Sequence, residues 1–151
     1  MSVEIKKDNS KEISERIEEA VLRGLVTCGL TAERYAKKLT PVDTGLLRNS
    51  ITYAISGEEA AIDEYEDNEG KNKGFYSGTA PEESSDKTKS VYIGTNVEYA
   101  SMVEIGTLRA DAQPFLKPAV NDHKRTFFSC FFCVWIECAG ENFTKTQKNV
   151  K

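Results

Sequence analysis

The sequence predicts an α+β chain, on three observations. A long opening stretch has helical periodicity, two short alternating segments read as strands on either side of a polar insertion, and helical segments follow the second strand. The chain has 151 residues, a formal net charge of -4 and 39% hydrophobic residues, which suits one domain with appendages. We read 1–139 as that domain, with 57–90 as an excursion between strands and 140–151 as a polar tail.

Residues 10–39 place Ile13, Ile17, Val21, Leu25, Cys28, Ala32, Ala36 and Leu39 at steps of three and four, which is one helical stripe. Asn9 is the expected cap, with Glu12 reaching back to it. At about 1.5 Å per residue the helix runs roughly 45 Å. Gly24 and Gly29 inside it are expected to permit close packing or a bend. Pro41 ends it, because a proline pushes the preceding residue out of helical conformation.

"TPVDTGLLRNS" then reads as a tight turn in which Asp43 caps a short helix through Leu46 and Leu47, with Gly45 supplying conformational freedom. "SITYAIS" alternates, with Ile51, Tyr53 and Ile55 on one face and Thr52, Ala54 and Ser56 on the other. Residues 57–90 change character: "GEEAAIDEYEDNEG" carries seven acids and no base, so a long hairpin or a mobile loop is expected. "SVYIGT" resumes as a strand. "NVEYASMVEIGT" fits a short helix capped by Asn96, with Tyr99, Met102, Val103 and Ile105 supplying core and Gly106 ending it. "PFLKPAV" opens the last helix, with Pro118 tolerated in the first turn. That helix continues into Phe127, Phe128, Phe131, Phe132, Val134, Trp135 and Ile136, a run apolar on every side that belongs in a core or at an interface.

The mild acidity argues against general nucleic-acid affinity, which needs clustered bases. The longest apolar run is about half the ~20 residues that a helix needs to span a bilayer, and "MSVEIKKDNSKE" lacks the apolar stretch of an export signal. The expectation is therefore a cytoplasmic protein with reduced thiols and no membrane contact. Asp-Thr-Gly is the tripeptide that carries the catalytic carboxylate of aspartic proteases, so a small dimeric protease built on Asp43 is one alternative. That chemistry needs a second carboxylate and a strand-to-loop setting, whereas here a helix ends just before the tripeptide. His123, Cys130, Cys133 and Cys138 form H-x6-C-x2-C-x4-C, so a zinc-binding adaptor is another. Cysteines inside an apolar helical run read more simply as core, and His123 as a solvated side chain at a helix start. The acidic run lacks the ordered ligand spacing of a calcium loop, and no phosphate-cradling glycine loop is present.

Three segments taken together, "TPVDTGLLRNSI", "YIGTNVEYASMVEIGT" and "QPFLKPAV", resemble in content and order the HK-ninety-seven gene-product-ten-like family of tailed phages. The matching positions are Asp43, Thr44, Gly45, Leu47 and Arg48, then Tyr99, Ala100, Glu104, Gly106 and Thr107, then Pro114, Phe115, Pro118 and Ala119. The resemblance implies a long N-terminal helix and a C-terminal helix packed on a small antiparallel sheet. It implies a structural, non-enzymatic protein of tail completion or head–tail joining in a phage or prophage. Such a protein works as a ring of its own copies beside neighbouring neck or tail proteins. It needs no cofactor or metal, is made in the bacterial host cytoplasm, and ends in the virion neck or tail. The chain departs from the family in "RTFFSCFFCVWIEC", where a charge-rich helix is usual. Arg48 and Glu104 are the charged members of otherwise apolar motifs, and are expected either to pair or to stand as two independent surface charges. The acidic excursion, through Glu58, Glu59, Asp63 and Glu64, is expected either to line a lumen or to dock a partner.

Overall fold

The computed structural model describes residues 10–81 and 89–129. Helix α1 spans Ser10–Leu39, and Thr40 closes it by returning both its N–H (3.0 Å) and its hydroxyl (2.7 Å) to the Ala36 carbonyl. A short α2 (Leu46–Ser50) leads into β1 (Thr52–Ile55), which pairs antiparallel with β4 (Val91–Gly94) in the register Thr52↔Gly94 to Ile55↔Val91. Between them β2 (Glu64–Glu66) and β3 (Lys73–Phe75) form a hairpin of their own, with Tyr65 opposite Gly74. Helices α3 (Ala100–Ile105) and α4 (Leu116–Asn121) follow. The result is α+β, with a long first helix, small antiparallel sheets and C-terminal helices. Within 57–80 the excursion is a hairpin. Among the described residues no helix is long and apolar enough to cross a membrane.

Helix α1 packs across β1, β4 and α4. Its buried line is Ala20, Gly24, Gly29, Ala32 and Ala36, made of small residues only. The larger members of the expected stripe lie to its side: Ile13, Ile17 and Leu39 are exposed. The reason is close approach. A Cβ on Gly29 would overlap the Tyr53 ring of β1, so the helix backbone rests directly on an aromatic side chain. The expected cap at Asn9 lies outside the described residues, and Glu12 pairs with Arg16 one turn on (2.7 Å).

The core gathers Ala36, Leu47, Ile51, Ala100, Phe115 and Ala119, with Tyr35, Ile93, Val97, Val103 and Leu116 packed against it. Phe115 and Ile51 are its largest fully buried side chains. The β1 alternation is only partly kept. Ile51 and Ile55 are buried, but so are Thr52 and Ser56 on the opposite face. The excursion runs along that strand, through the Ala54↔Ala60 bridge and the Ala61 N–H to Tyr53 carbonyl bond of 2.9 Å, and Ser56 binds the Ser90 N–H at 3.1 Å.

Gly29→Ala tests the close approach. Helix propensity alone favours alanine by up to about 1 kcal/mol, whereas overpacking costs about 1–3 kcal/mol. Urea denaturation is expected to show a net loss, and a gain in stability would show that α1 does not rest on Tyr53.

Candidate functional site

The candidate site is where the three motif segments meet. In the first, α1 ends and the chain turns through Pro41–Thr44 into Gly45, which caps α2 with φ 87°. A side chain there would be strained, and its Cβ would lie 2.5 Å from the Asn68 amide. The cap residue Gly45 has no side chain to offer; the Thr44 hydroxyl accepts from the Leu46 N–H at 3.5 Å, and Asp43 is exposed. The expected Asp43 cap is therefore not formed, because the left-handed glycine, rather than the aspartate, sets the helix entry.

The hairpin clasps this turn. Asn68 donates its N–H to the Thr44 carbonyl (2.9 Å), and the Asn49 amide reaches the Glu66 carbonyl (2.8 Å). The Tyr76 hydroxyl donates to the Ser50 carbonyl, and Ser50 and Thr95 join hydroxyls at 2.6 Å. The hairpin turn owes its shape to the buried Asp67 carboxylate. It accepts from the N–H groups of Glu69 (3.2 Å), Lys71 (2.8 Å) and Asn72 (3.1 Å) and from the Asn72 amide (2.6 Å). Burial pushes the Asp67 carboxyl up, but these donors outweigh it and hold the group below its usual value. Sequence reasoning missed Asp67. Its signal is an aspartate at the head of the glycine turn "DNEGKN".

Glu104 ties the second segment to the third. Its carboxylate accepts from the backbone N–H groups of Phe115 (2.7 Å), Leu116 (3.0 Å) and Lys117 (2.9 Å). These are donors that the start of α4 cannot satisfy itself, and the next residue, Pro118, has no N–H. Burial pushes the Glu104 carboxyl up, but the three N–H groups and nearby Lys117 outweigh it, so it titrates below its usual value. The expected Arg48–Glu104 pair is absent from the ion pairs of the described residues, because the backbone of α4 takes the carboxylate instead.

Around Glu104 the turn is held by glycine and threonine. Gly106 ends α3 at φ 85°, where a Cβ would lie 2.7 Å from the Ala112 nitrogen. The Thr107 hydroxyl accepts from Arg109 (3.3 Å) and Ala110 (3.1 Å), and the Gln113 N–H returns to the Val103 carbonyl at 2.9 Å. Pro114 then delivers Phe115 into the core, with Ala100 and Ala119 beside it. Asn96 does not cap α3. Its amide bonds the Phe75 carbonyl (2.8 Å) and the Tyr65 hydroxyl (2.5 Å), locking the hairpin to the β4 exit.

The outer side of the joint is an open cleft of about 520 Å³ between Pro41, Val42, Asp43 and Leu46 on one wall and Tyr99 and Val103 on the other. Burial raises the Tyr99 hydroxyl pKa, and the charge of Asp43 raises it further. Of the residues expected inward on α3, only Val103 packs on the core; Tyr99 is 42%, Met102 60% and Ile105 77% exposed. With six residues, α3 buries only Ala100 fully, so its remaining apolar side chains face out.

His123 is not the solvated side chain expected. Its ring stacks on Tyr35 with centroids 3.4 Å apart, and its Nδ1 is buried without a partner. Among the described residues, no group of three or more His, Cys, Asp or Glu side chains is placed to hold a metal. Cys130, Cys133 and Cys138, and most of the apolar run, lie outside the described residues. Among the motif residues, Glu104 holds backbone N–H groups and the Thr107 hydroxyl holds a turn.

A model of the HK97-gp10-like family, described as a proposed tail component of bacteriophage HK97, matches residues 4–106. No curated protein and no solved structure matches the chain.

Two outcomes follow from the joint. Glu104→Gln is expected to cost about 1–2 kcal/mol at pH 7, the scale of a lost cap and a charged hydrogen bond. Because folding lowers this carboxyl below its usual 4.5, its contribution is complete above that pH and fades as pH falls through the folded value. Urea midpoints of the two proteins should therefore differ at neutral pH and converge in acid. Asp43→Asn, at an exposed and uncapping position, is expected within about 0.5 kcal/mol of the parent, whereas Gly45→Ala costs more than 1 kcal/mol by strain at φ 87°; thermal unfolding of both checks the contrast.

Proposed function

The chain belongs to the HK97-gp10-like family of phage tail components, and from that premise we propose that it completes the tail or joins head to tail by assembling into a closed ring. The supporting observation is the outward face of α3. Within the matched region, Tyr99, Met102 and Ile105 stand exposed, Tyr99 on the wall of an open cleft, while Glu104 of the same helix is occupied by bonds that hold the joint. An exposed apolar face on a stiffly braced joint is suited to contact with another protein. A ring gives every copy the same contact and leaves none open.

In this reading the chain works by shape. Asp43, Thr44, Gly45, Leu47 and Arg48, Tyr99, Ala100, Glu104, Gly106 and Thr107, and Pro114, Phe115, Pro118 and Ala119 are structural positions, and none turns over a substrate. The chain assembles in the host cytoplasm and lodges in the virion neck or tail against neighbouring structural proteins. Its exposed carboxylates on the excursion, Glu58, Glu59, Asp63 and Glu64, give that part of the ring an acidic surface that repels DNA.

Native mass spectrometry of the purified full chain at rising concentration tests this. One discrete closed multimer is expected, with a ring visible by electron microscopy. A monomer at every concentration, or a ladder of open oligomers, contradicts it.

A further inference from the structure

We infer that neighbouring copies are held together through the sheet: the open edge of β4 in one copy pairs with the 78–80 segment of the next, so that one antiparallel sheet runs from subunit to subunit. The inference rests on the ring reading above and says which backbone groups make the contact.

The ladder determines which groups are open. The Ser56 N–H bonds the Ser90 carbonyl at 2.9 Å, so Ser56 with Ser90, Ala54 with Tyr92 and Thr52 with Gly94 are the hydrogen-bonded pairs along β1 and β4. The N–H and C=O groups of Val91 and Ile93 therefore point away from β1. The matching outward carbonyls of β1 are taken by the excursion. Ala61 donates to the Tyr53 carbonyl and Glu58 to the Ile55 carbonyl, each at 2.9 Å. Among the described residues, nothing takes the outward groups of Val91 and Ile93, and none of Val91–Gly94 is buried.

The far side of the sheet is open as well. Beyond β1 it continues through the Ala54↔Ala60 and Glu59↔Thr79 bridges, both antiparallel. Ala80 donates to the Glu58 carbonyl at 2.8 Å, which turns the N–H and C=O of Thr79 outward. Thr79 is exposed, and among the described residues its outward groups have no bond. The order across the sheet is thus Thr79, Glu59–Ala60, β1, β4, with each neighbour reversed. The 78–80 segment and β4 consequently run in opposite directions, and a copy added in line presents its 78–80 segment to β4 in the antiparallel sense.

The chemistry of the edge commits it to such a partner. Open N–H and C=O groups in alternation are satisfied by an extended strand. Val91–Gly94 carries neither the charge nor the proline that defends a permanently exposed edge. The two open edges lie three strand spacings apart, roughly 14 Å, on opposite sides of one sheet. One copy cannot join them, whereas each copy offers what the next lacks. A contact between two unlike edges propagates with one rotation and closes as a ring.

Hydrogen exchange of the full chain, read residue by residue by mass spectrometry, tests this by comparing the ring with the dilute monomer. The amides of Val91, Ile93 and Thr79 are expected to exchange about tenfold more slowly in the ring, while that of Tyr92, bonded to β1 in both, changes little. Val91→Pro gives a second reading. It removes an N–H that the fold does not use, at an edge position where proline is tolerated, and far-UV circular dichroism verifies the fold. The variant is expected to need about tenfold more protein for half-assembly. A ring in which Val91, Ile93 and Thr79 exchange as in the monomer overturns the sheet contact and leaves the ring standing. So does a folded Val91→Pro chain that assembles like the parent. If that variant misfolds, the exchange rates of the parent decide alone. A parent chain that never associates overturns both.

Discussion

The start of α4 presents N–H groups with no partners inside the helix, and the residue at its cap, Phe115, has a side chain that cannot accept a hydrogen bond. Glu104 resolves this from α3, on the far side of the turn, by bonding three backbone donors with one carboxylate. Much of the fold depends on that connection. It fixes the angle at which Pro114–Phe115 enters the core, and Phe115 is the largest side chain there. It also bends the chain between α3 and α4 into a closed loop, which Gly106, Thr107 and Gln113 tighten. Burial of the carboxylate is tolerable because each oxygen has donors.

The other half of the joint follows the same logic with different chemistry. The turn after α1 has few bonds of its own and is gripped by the hairpin through Asn68, Asn49 and Tyr76. The hairpin in turn keeps its shape because Asp67 collects four donors at its tip. Backbone groups that no helix or strand can satisfy are thus satisfied by carboxylates and amides from distant segments. Asp-Thr-Gly is part of that framework: its glycine supplies a left-handed backbone, and Asn68 occupies the space that a side chain would take.

The sequence made the regular elements legible. α1 was readable because thirty residues keep one period and Pro41 bounds them, and β1, β4 and the Gly106 stop followed from alternation and turn chemistry. Contacts between a side chain and a distant backbone were not, because a backbone N–H leaves no mark in the letters. The sequence therefore offers Glu104 only Arg48 or solvent, whereas its partners are N–H groups at 115–117. One signal is available: a helix that starts without Ser, Thr, Asp or Asn at its cap leaves N–H groups that a distant acceptor can take. The outward face of α3 escapes the sequence for a related reason. In six residues, hydrophobicity indicates that something will be covered, without indicating by which molecule. For α1 the stripe holds at Ala32 and Ala36, but before them the buried line runs through Ala20, Gly24 and Gly29, because small residues allow the contact with Tyr53 that larger ones beside them do not.

The placement of Phe115 and Ala119 has a consequence for biosynthesis. The central cluster takes Ala36 and Leu47 from early in the chain and these two from far later, and α1 meets α4 across most of the sequence. Loop-closure entropy must be met before such remote contacts return anything. Ala36 and Ile51, both fully buried in the folded chain, therefore wait for partners that are synthesised last. A chain that ends before α4 lacks Phe115 and Ala119, two of the six buried members of that cluster, so the cluster is completed only once α4 is made.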